Sequence, residues 1–188
     1  SFTSKYNIDQ FYTPQIQLHN KVILDIFNEL TLKSSNKMLV FGLGYDSNMW
    51  YFCNNKNTYF IEHNPEYIEL NNSIPDNNII KYNYDNITIE SSYNLSDEDL
   101  YKFIVPTNIL NNGPYDIILI DGPEGWGKTK PGRLLPMFWS LKHLSKSGTI
   151  IYVDDSNRNL EKYGINRYFK NNIVKYFPER NGTIKIQL

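Results

Sequence analysis

The sequence predicts a single α/β domain built on a mostly parallel sheet. Short β-branched and aromatic runs alternate with amphipathic stretches, the run 115–120 is apolar at nearly every position, and Asn181-Gly182 separates two strand-like runs at the end of the chain. Such alternation is the pattern of crossover units. A strand apolar throughout suits a central place covered on both faces, and Asn-Gly between two runs is a strong hairpin signal.

Five parallel strands are expected at 37–41, 58–61, 78–82, 115–120 and 149–153, followed by an antiparallel hairpin of 173–177 and 183–188. Helices are expected over 15–32, 47–54, 65–72, 96–103, 134–144 and 159–171. In the first, Leu18, Val22, Ile23, Ile26, Phe27 and Leu30 recur at helical spacing, which gives it one buried face. The polar stretch 85–94 reads as a surface loop, and Trp50 and Trp139 read as core. An N-terminal helical segment, 1–36, would lead into a sheet core spanning 37–188.

The 188 residues suit one domain that buries roughly 70% of its unfolded surface. With 19 basic and 20 acidic side chains the net charge is −1, so no basic stripe marks a nucleic-acid partner. Cys53 stands alone and cannot form an internal disulfide, and no apolar run of about 18 residues would span a membrane. These features predict a soluble, cytoplasmic protein. Its first residue is Ser1 rather than methionine, as in a processed or trimmed chain. Oligomeric state is not legible in the sequence.

Four segments carry chemistry. The run Phe41-Gly42-Leu43-Gly44-Tyr45-Asp46-Ser47 passes from a strand through a Gly-x-Gly turn into a helix. Glycine admits positive φ and lets backbone N–H groups approach a ligand, although the third glycine of the dinucleotide fingerprint is replaced by Ser47. Glu62 ends the next strand, 20 residues after Gly42, where a carboxylate accepts ribose hydroxyls. The third segment, Asp121-Gly122-Pro123-Glu124-Gly125-Trp126-Gly127-Lys128-Thr129, leaves the most apolar strand at the end where open α/β sheets bind ligands. Finally, Asp154 and Asp155 end the fifth strand, and with Asp121 they offer hard oxygen ligands for Mg²⁺ or Mn²⁺.

Gly122 to Thr129 also satisfies the P-loop pattern G-x-x-x-x-G-K-T, so the alternative expectation is a nucleotide-binding ATPase or kinase. Glu124 inside the loop and Pro131-Gly132 just after it weigh against that alternative. A silent binding module and a nicotinamide-dependent enzyme on the same fold are the remaining rivals.

Taken in order, these blocks resemble class I S-adenosylmethionine-dependent methyltransferases, and more closely the plant glucuronoxylan 4-O-methyltransferase and polysaccharide-biosynthesis family. The resemblance runs through Thr13-Pro14-Gln15, Phe41-Gly42-Leu43-Gly44 with Asp46-Ser47 and Met49-Trp50, and Glu62 with Pro65. It continues through Asp121 with Pro123 and Gly125, Pro131-Gly132-Arg133, and Asp155 with Arg158 and Glu161. His63-Asn64, Asp154 and Asn157 depart from the family's pattern.

The resemblance implies a Rossmann-like sheet and methyl transfer from S-adenosylmethionine to the hydroxyl of a sugar-containing acceptor. It implies that Gly42, Gly44, Asp46, Ser47, Glu62, Tyr84, Asp85, Gln15 and Gly122 surround the cofactor. Asp121 and Asp155 are the expected base or metal ligands, with Asp154 as an accessory. Arg133, Arg158, Lys128 and Trp126 are offered to the acceptor, because the cations suit carboxylate or phosphate and an aromatic face suits a sugar ring.

Overall fold

A computed structural model describes residues 1–33 and 36–188. Positions 34 and 35 of the predicted N-terminal segment lie outside the described residues. The elements are α1 (Phe2–Lys5), α2 (Asn20–Thr31), β1 (Met38–Phe41), α3 (Ser47–Phe52), β2 (Thr58–Glu62), α4 (Pro65–Leu70) and β3 (Ile79–Lys81). There follow α5 (Ile89–Ser92), α6 (Asp97–Tyr101), α7 (Thr107–Asn112), β4 (Ile117–Ile120), α8 (Leu134–Trp139), β5 (Ile150–Asp154), α9 (Asn159–Tyr168), β6 (Ile173–Phe177) and β7 (Thr183–Gln187).

The sheet runs β3-β2-β1-β4-β5-β7-β6. Neighbours from β3 to β5 are parallel, and β7 enters antiparallel between β5 and β6. This is the expected Rossmann-like architecture of five parallel strands with a C-terminal antiparallel hairpin. The strand order reverses between β1 and β4, which leaves a crevice at their carboxyl ends.

The period of two along each strand builds two core layers. Met38, Val40, Ile117, Leu119, Ile150 and Tyr152 face the layer that holds Val22, Ile23, Ile26, Phe27 and Trp50 from α2 and α3. Leu39, Phe41, Ile118, Ile120, Ile151 and Val153 face the opposite layer, with Leu134, Leu135, Phe138 and Trp139 from α8 and Ile165 from α9. Both faces of the central strands are covered, which is why their sequences are apolar without alternation. Trp50 and Trp139 lie in these cores as expected.

Four differences from the expected elements matter. The helix expected from Gln15 begins only at Asn20, with the His19 imidazole as its cap accepting from the Lys21 N–H. Residues 13–18 instead run as irregular chain toward the crevice. Within 85–94, the reciprocal cap of Thr88 and Ser91 creates the short helix α5. The polar sequence Thr107 to Asn112 forms α7, which lies outside every expected element. The helix expected over 134–144 loosens after Trp139 into a π-turn, Ser140–Leu144.

Candidate active site

A cavity of about 560 Å³ opens at the carboxyl ends of β1, β2, β4 and β5, over the point where the strand order reverses. Its size falls within the range of small-molecule sites. Gln15 and His19 border it from the N-terminal segment, Gly42, Gly44 and Asp46 from the turn after β1, and Glu62 and His63 from the end of β2. Asp121, Gly122 and Trp126 come from the loop after β4, Asp154, Asp155 and Arg158 from the end of β5, and Arg180 and Asn181 from the β6–β7 hairpin.

The glycines let two backbones meet. Gly42 has φ +108°, and its N–H donates to the Ile61 carbonyl at 2.8 Å. A Cβ on Gly122 would stand 3.0 Å from the Gly42 Cα and 3.2 Å from the Phe41 carbonyl oxygen, neither of which can yield easily. Ser47 is buried, and its hydroxyl accepts from the Gly44 N–H at 2.9 Å, so it shapes the turn rather than lining the cavity. The Asp46 carboxylate accepts from the Trp50 indole N–H at 2.8 Å, which ties the turn to the core.

The Glu62 carboxylate folds over the same turn. Oε2 accepts from the Leu43 N–H at 2.7 Å, while Oε1 accepts from the N–H groups of His63 and Asn64 at 2.8 Å each and lies 3.0 Å from His63 Nδ1. Burial alone would raise its pKa, but the His63 side chain and the N–H groups of Asn64, Leu43 and His63 hold it below the usual value. The hydrogen bond to Glu62 in turn raises the His63 pKa, against the opposing effect of burial. Oε2 carries a single donor, the Leu43 N–H, which leaves room there for one further hydroxyl.

Arg133 spans the strand ends. Its Nη2 donates to the Asp121 carbonyl at 2.9 Å, Nη1 to the Asp154 carbonyl at 2.8 Å and Nε to the Pro123 carbonyl at 3.2 Å. Nη2 also lies 3.0 Å from Asp155 Oδ2. Arg133 is 4% exposed, so the guanidinium offered to an acceptor is buried and engaged with the protein itself. Asp155 sits at φ +55°, a region that aspartate tolerates better than most residues. That geometry directs Oδ2 at both Arg133 and Arg158, each at 3.0 Å, while Oδ1 accepts from the Asn181 amide at 3.3 Å.

The other acids are less fully engaged. Asp154 Oδ1 accepts from the Thr183 hydroxyl at 2.7 Å, and Asp121 Oδ1 stands 3.9 Å from Arg133. Enclosure by the cavity walls, then the charge of Asp154, raises the Asp121 pKa well above the ordinary value, and Arg133 offsets this only in part. Asp46 is raised by burial, with Asp154 adding to the shift against the Trp50 hydrogen bond. Three carboxyls are therefore crowded around one cavity, and each would be eased by a cation placed among them.

Several expected site residues stand apart. Tyr84 is buried behind His63, with ring centroids 5.8 Å apart, and neither it nor Asp85 lines the cavity. Lys128 lies in a neighbouring cavity instead. Trp126 is 63% exposed at the cavity edge, with the Lys130 ammonium 4.8 Å from its ring centroid and Lys130 paired to Glu124 at 2.7 Å.

Among the described residues no group of three His, Cys, Asp or Glu side chains is placed to hold a metal ion, and the Mg²⁺ or Mn²⁺ expected at Asp121, Asp154 and Asp155 is not shown. Asp155 is bound by two arginines and an amide. Nor does Gly122 to Thr129 behave as a P-loop. No helix starts at Lys128, the Lys128 carbonyl accepts from the Glu90 N–H, and the chain passes through Pro131 and Gly132 before α8 begins at Leu134.

Sequence reading missed Arg180, Asn181 and Thr183, which the hairpin brings beside Asp154 and Asp155. Gly182, at φ +79°, bends the chain there, and the Asn181 and Gly182 carbonyls accept from the N–H groups of Asn157 and Ser156 at 3.0 Å each. The Asn-Gly pair signalled the turn, while nothing local signalled its destination.

No family model matches the sequence, and no curated protein matches it. Solved structures of the same fold do exist. A precorrin-6y C5,15-methyltransferase from Geobacter metallireducens is 15% identical with a TM-score of 0.55, over 95% of this chain and 93% of that one. A methyltransferase from Pyrococcus furiosus is 16% identical with a TM-score of 0.50, over 93% of this chain and 85% of that one. The MycE methyltransferase of the mycinamycin biosynthetic pathway is 14% identical with a TM-score of 0.50, and this chain spans 47% of its length. At these identities the likeness is one of fold, and the fold is the Rossmann-like one found in methyltransferases.

Proposed function

We propose that the protein is an S-adenosylmethionine-dependent O-methyltransferase acting on a hydroxyl of a sugar-containing acceptor. The observation that carries this reading is the convergence of Asp46, Asp121 and Asp154 on a cavity that also holds Glu62. Crowded carboxyls of this kind suit a ligand with cationic centres beside a ribose. The fold shared with methyltransferases agrees with that donor set.

When bound, S-adenosylmethionine supplies an electrophilic methyl group on a sulfonium. Glu62 Oε2 would accept one ribose hydroxyl, and the Gly42 and Gly44 turn would carry the methionine part over Asp46. Gln15 would close the cavity from the N-terminal side. Asp121, whose pKa burial and Asp154 push up, would take the proton of the acceptor hydroxyl. Such a base contributes about 10² to 10⁴-fold, and alignment of the two reactants contributes more. Asp155, held by Arg133 and Arg158, would fix the rim on which the acceptor lies, and the exposed face of Trp126 would meet the sugar ring.

Calorimetric titration with S-adenosylmethionine and S-adenosylhomocysteine, with ATP-Mg²⁺ and NAD as controls, tests the reading. Micromolar binding of the first two alone supports it. Binding of ATP or NAD alone would overturn it.

A further inference from the structure

β6 ends the sheet, and among the described residues no strand pairs with it on the side away from β7. Its residues Ile173, Val174, Lys175 and Tyr176 are all exposed, and three of them are large and apolar or aromatic. Such an edge is a ready template for another strand, which proteins commonly guard with a charge. Lys175 supplies that charge, but its ammonium lies 3.1 Å from Asp25 Oδ1 on α2, which draws it off the edge. Beside this strand a groove of about 360 Å³ runs between β6 and α9, walled by Ile165, Ile173, Tyr176 and Ile184. It shares no residue with the cavity at the strand ends. Lys162 on α9 and Lys170 just past that helix stand at the groove, and no acid lines it, so both ammonium groups face it without a counter-charge there.

We infer that this groove docks an extended peptide segment of a partner protein, which adds to the free edge of β6 as a further strand and carries an acidic residue on either side of an apolar one. In docking of this kind main-chain hydrogen bonds supply affinity, and pockets for alternate side chains select the sequence. Lys162 and Lys170 are eight positions apart, which is about 12 Å at helical rise. Residues i and i+4 of a strand are about 13 Å apart and point to one face. Acids at those two positions therefore meet the two lysines, while the side chain at i+2 faces Ile165, Ile173 and Tyr176. A second copy of this chain matches the edge poorly, because pairing β6 with β6 sets the lysines of one copy against those of the other. Docking here needs no cofactor, so it holds whether or not the strand-end cavity binds S-adenosylmethionine.

The probe is the peptide acetyl-Thr-Glu-Thr-Ile-Thr-Glu-Thr-amide, in which Glu, Ile and Glu share one strand face, titrated into the isotope-labelled chain and followed by amide NMR shifts. One control peptide replaces both glutamates with lysine, and a second replaces the two threonines beside isoleucine with proline, which removes main-chain donors. The expected result is that the acidic peptide binds and shifts the amides of 173–177, that neither control binds measurably, and that added salt weakens the complex. The double variant Lys162→Glu/Lys170→Glu should weaken it roughly fivefold or more, the scale of losing two exposed ion pairs. Lys162→Gln/Lys170→Gln should weaken it less, and it carries the comparison should the charge reversal fail to fold. Absence of binding to wild type at millimolar peptide overturns the inference, as do equal affinities for the acidic peptide and either control, undiminished affinity in both lysine variants, or shifts confined to other faces. Sedimentation of the chain alone tests the rival occupant: a dimer that Val174→Lys disperses would put a second copy on β6 and overturn the peptide site.

Discussion

Arg133 Nη2 lies 3.0 Å from Asp155 Oδ2 while the other contacts of the same guanidinium hold the carbonyls of Asp121, Pro123 and Asp154. One buried cation thus sets the spacing of the β4 and β5 ends that carry the acids of the site. Removing a buried partner leaves the remaining polar groups uncompensated, which costs about 3 kcal/mol. Arg133→Met is therefore expected to lower the unfolding free energy by about that amount in a urea titration. Arg133→Lys should recover only part of it, since an ammonium cannot reproduce the planar fork. A loss below about 1 kcal/mol for the methionine variant would show that Arg133 does not tie the strand ends.

The Glu62–His63 pair gives stability a pH dependence of known sign. The depressed Glu62 pKa contributes stability that is present above the ordinary glutamate value and lost as pH falls through the depressed folded one. The raised His63 pKa contributes stability present below the ordinary histidine value of 6.5 and lost as pH rises through the raised folded one. Glu62→Gln should flatten both limbs when denaturant midpoints are followed across this range. It should also weaken S-adenosylhomocysteine about tenfold or more, because a charged acceptor for the ribose is gone. Unchanged affinity would remove Glu62 from the cofactor site.

Much of this architecture was legible in the sequence, because a short β-branched apolar run such as 117–120 suits a doubly covered central strand. The turn after β1, the acid ending β2 and the acids ending β4 and β5 were legible for a related reason: position at a strand's carboxyl end follows from strand order alone. What stayed hidden was partner choice. Arg133 is a cation in the sequence, and only the fold reveals that three carbonyls surround it. The arrival of Arg180, Asn181 and Thr183 beside Asp155 depends on β7 inserting between β5 and β6, a long-range pairing that no local period encodes. Thr107 to Asn112 is polar and short, so its helix carries no amphipathic signature.

Gly122 packs against Gly42 so closely that an added methyl group would meet backbone on the other side. Gly122→Ala is expected to push the loop after β4 away from the β1 turn, at a cost of about 1–3 kcal/mol as in other overpacked sites. Cofactor-product affinity should fall with it. Lys128→Ala, in the neighbouring cavity, should leave that affinity within about twofold of wild type. Equal and large losses in both variants would mean that Lys128 belongs to the cofactor site.

The crowding of Asp121 by Asp154 and Asp46 makes cofactor binding depend on pH in a definite direction. Burial and the neighbouring charge favour the neutral Asp121 carboxyl in the free protein. Folded stability therefore declines as pH rises from the ordinary aspartate value toward the raised one, because the unfolded chain ionises first. A cation in the cavity favours the ionised form and expels the proton, so affinity for S-adenosylmethionine should climb with pH through that window. Release of one proton limits the slope to about tenfold per pH unit. S-adenosylhomocysteine lacks the sulfonium charge and should climb less steeply, and Asp121→Asn should bring the two slopes together. Calorimetry in buffers of different ionisation enthalpy counts the released protons directly. Parallel slopes for the two ligands in wild type would show that Asp121 does not face the sulfonium.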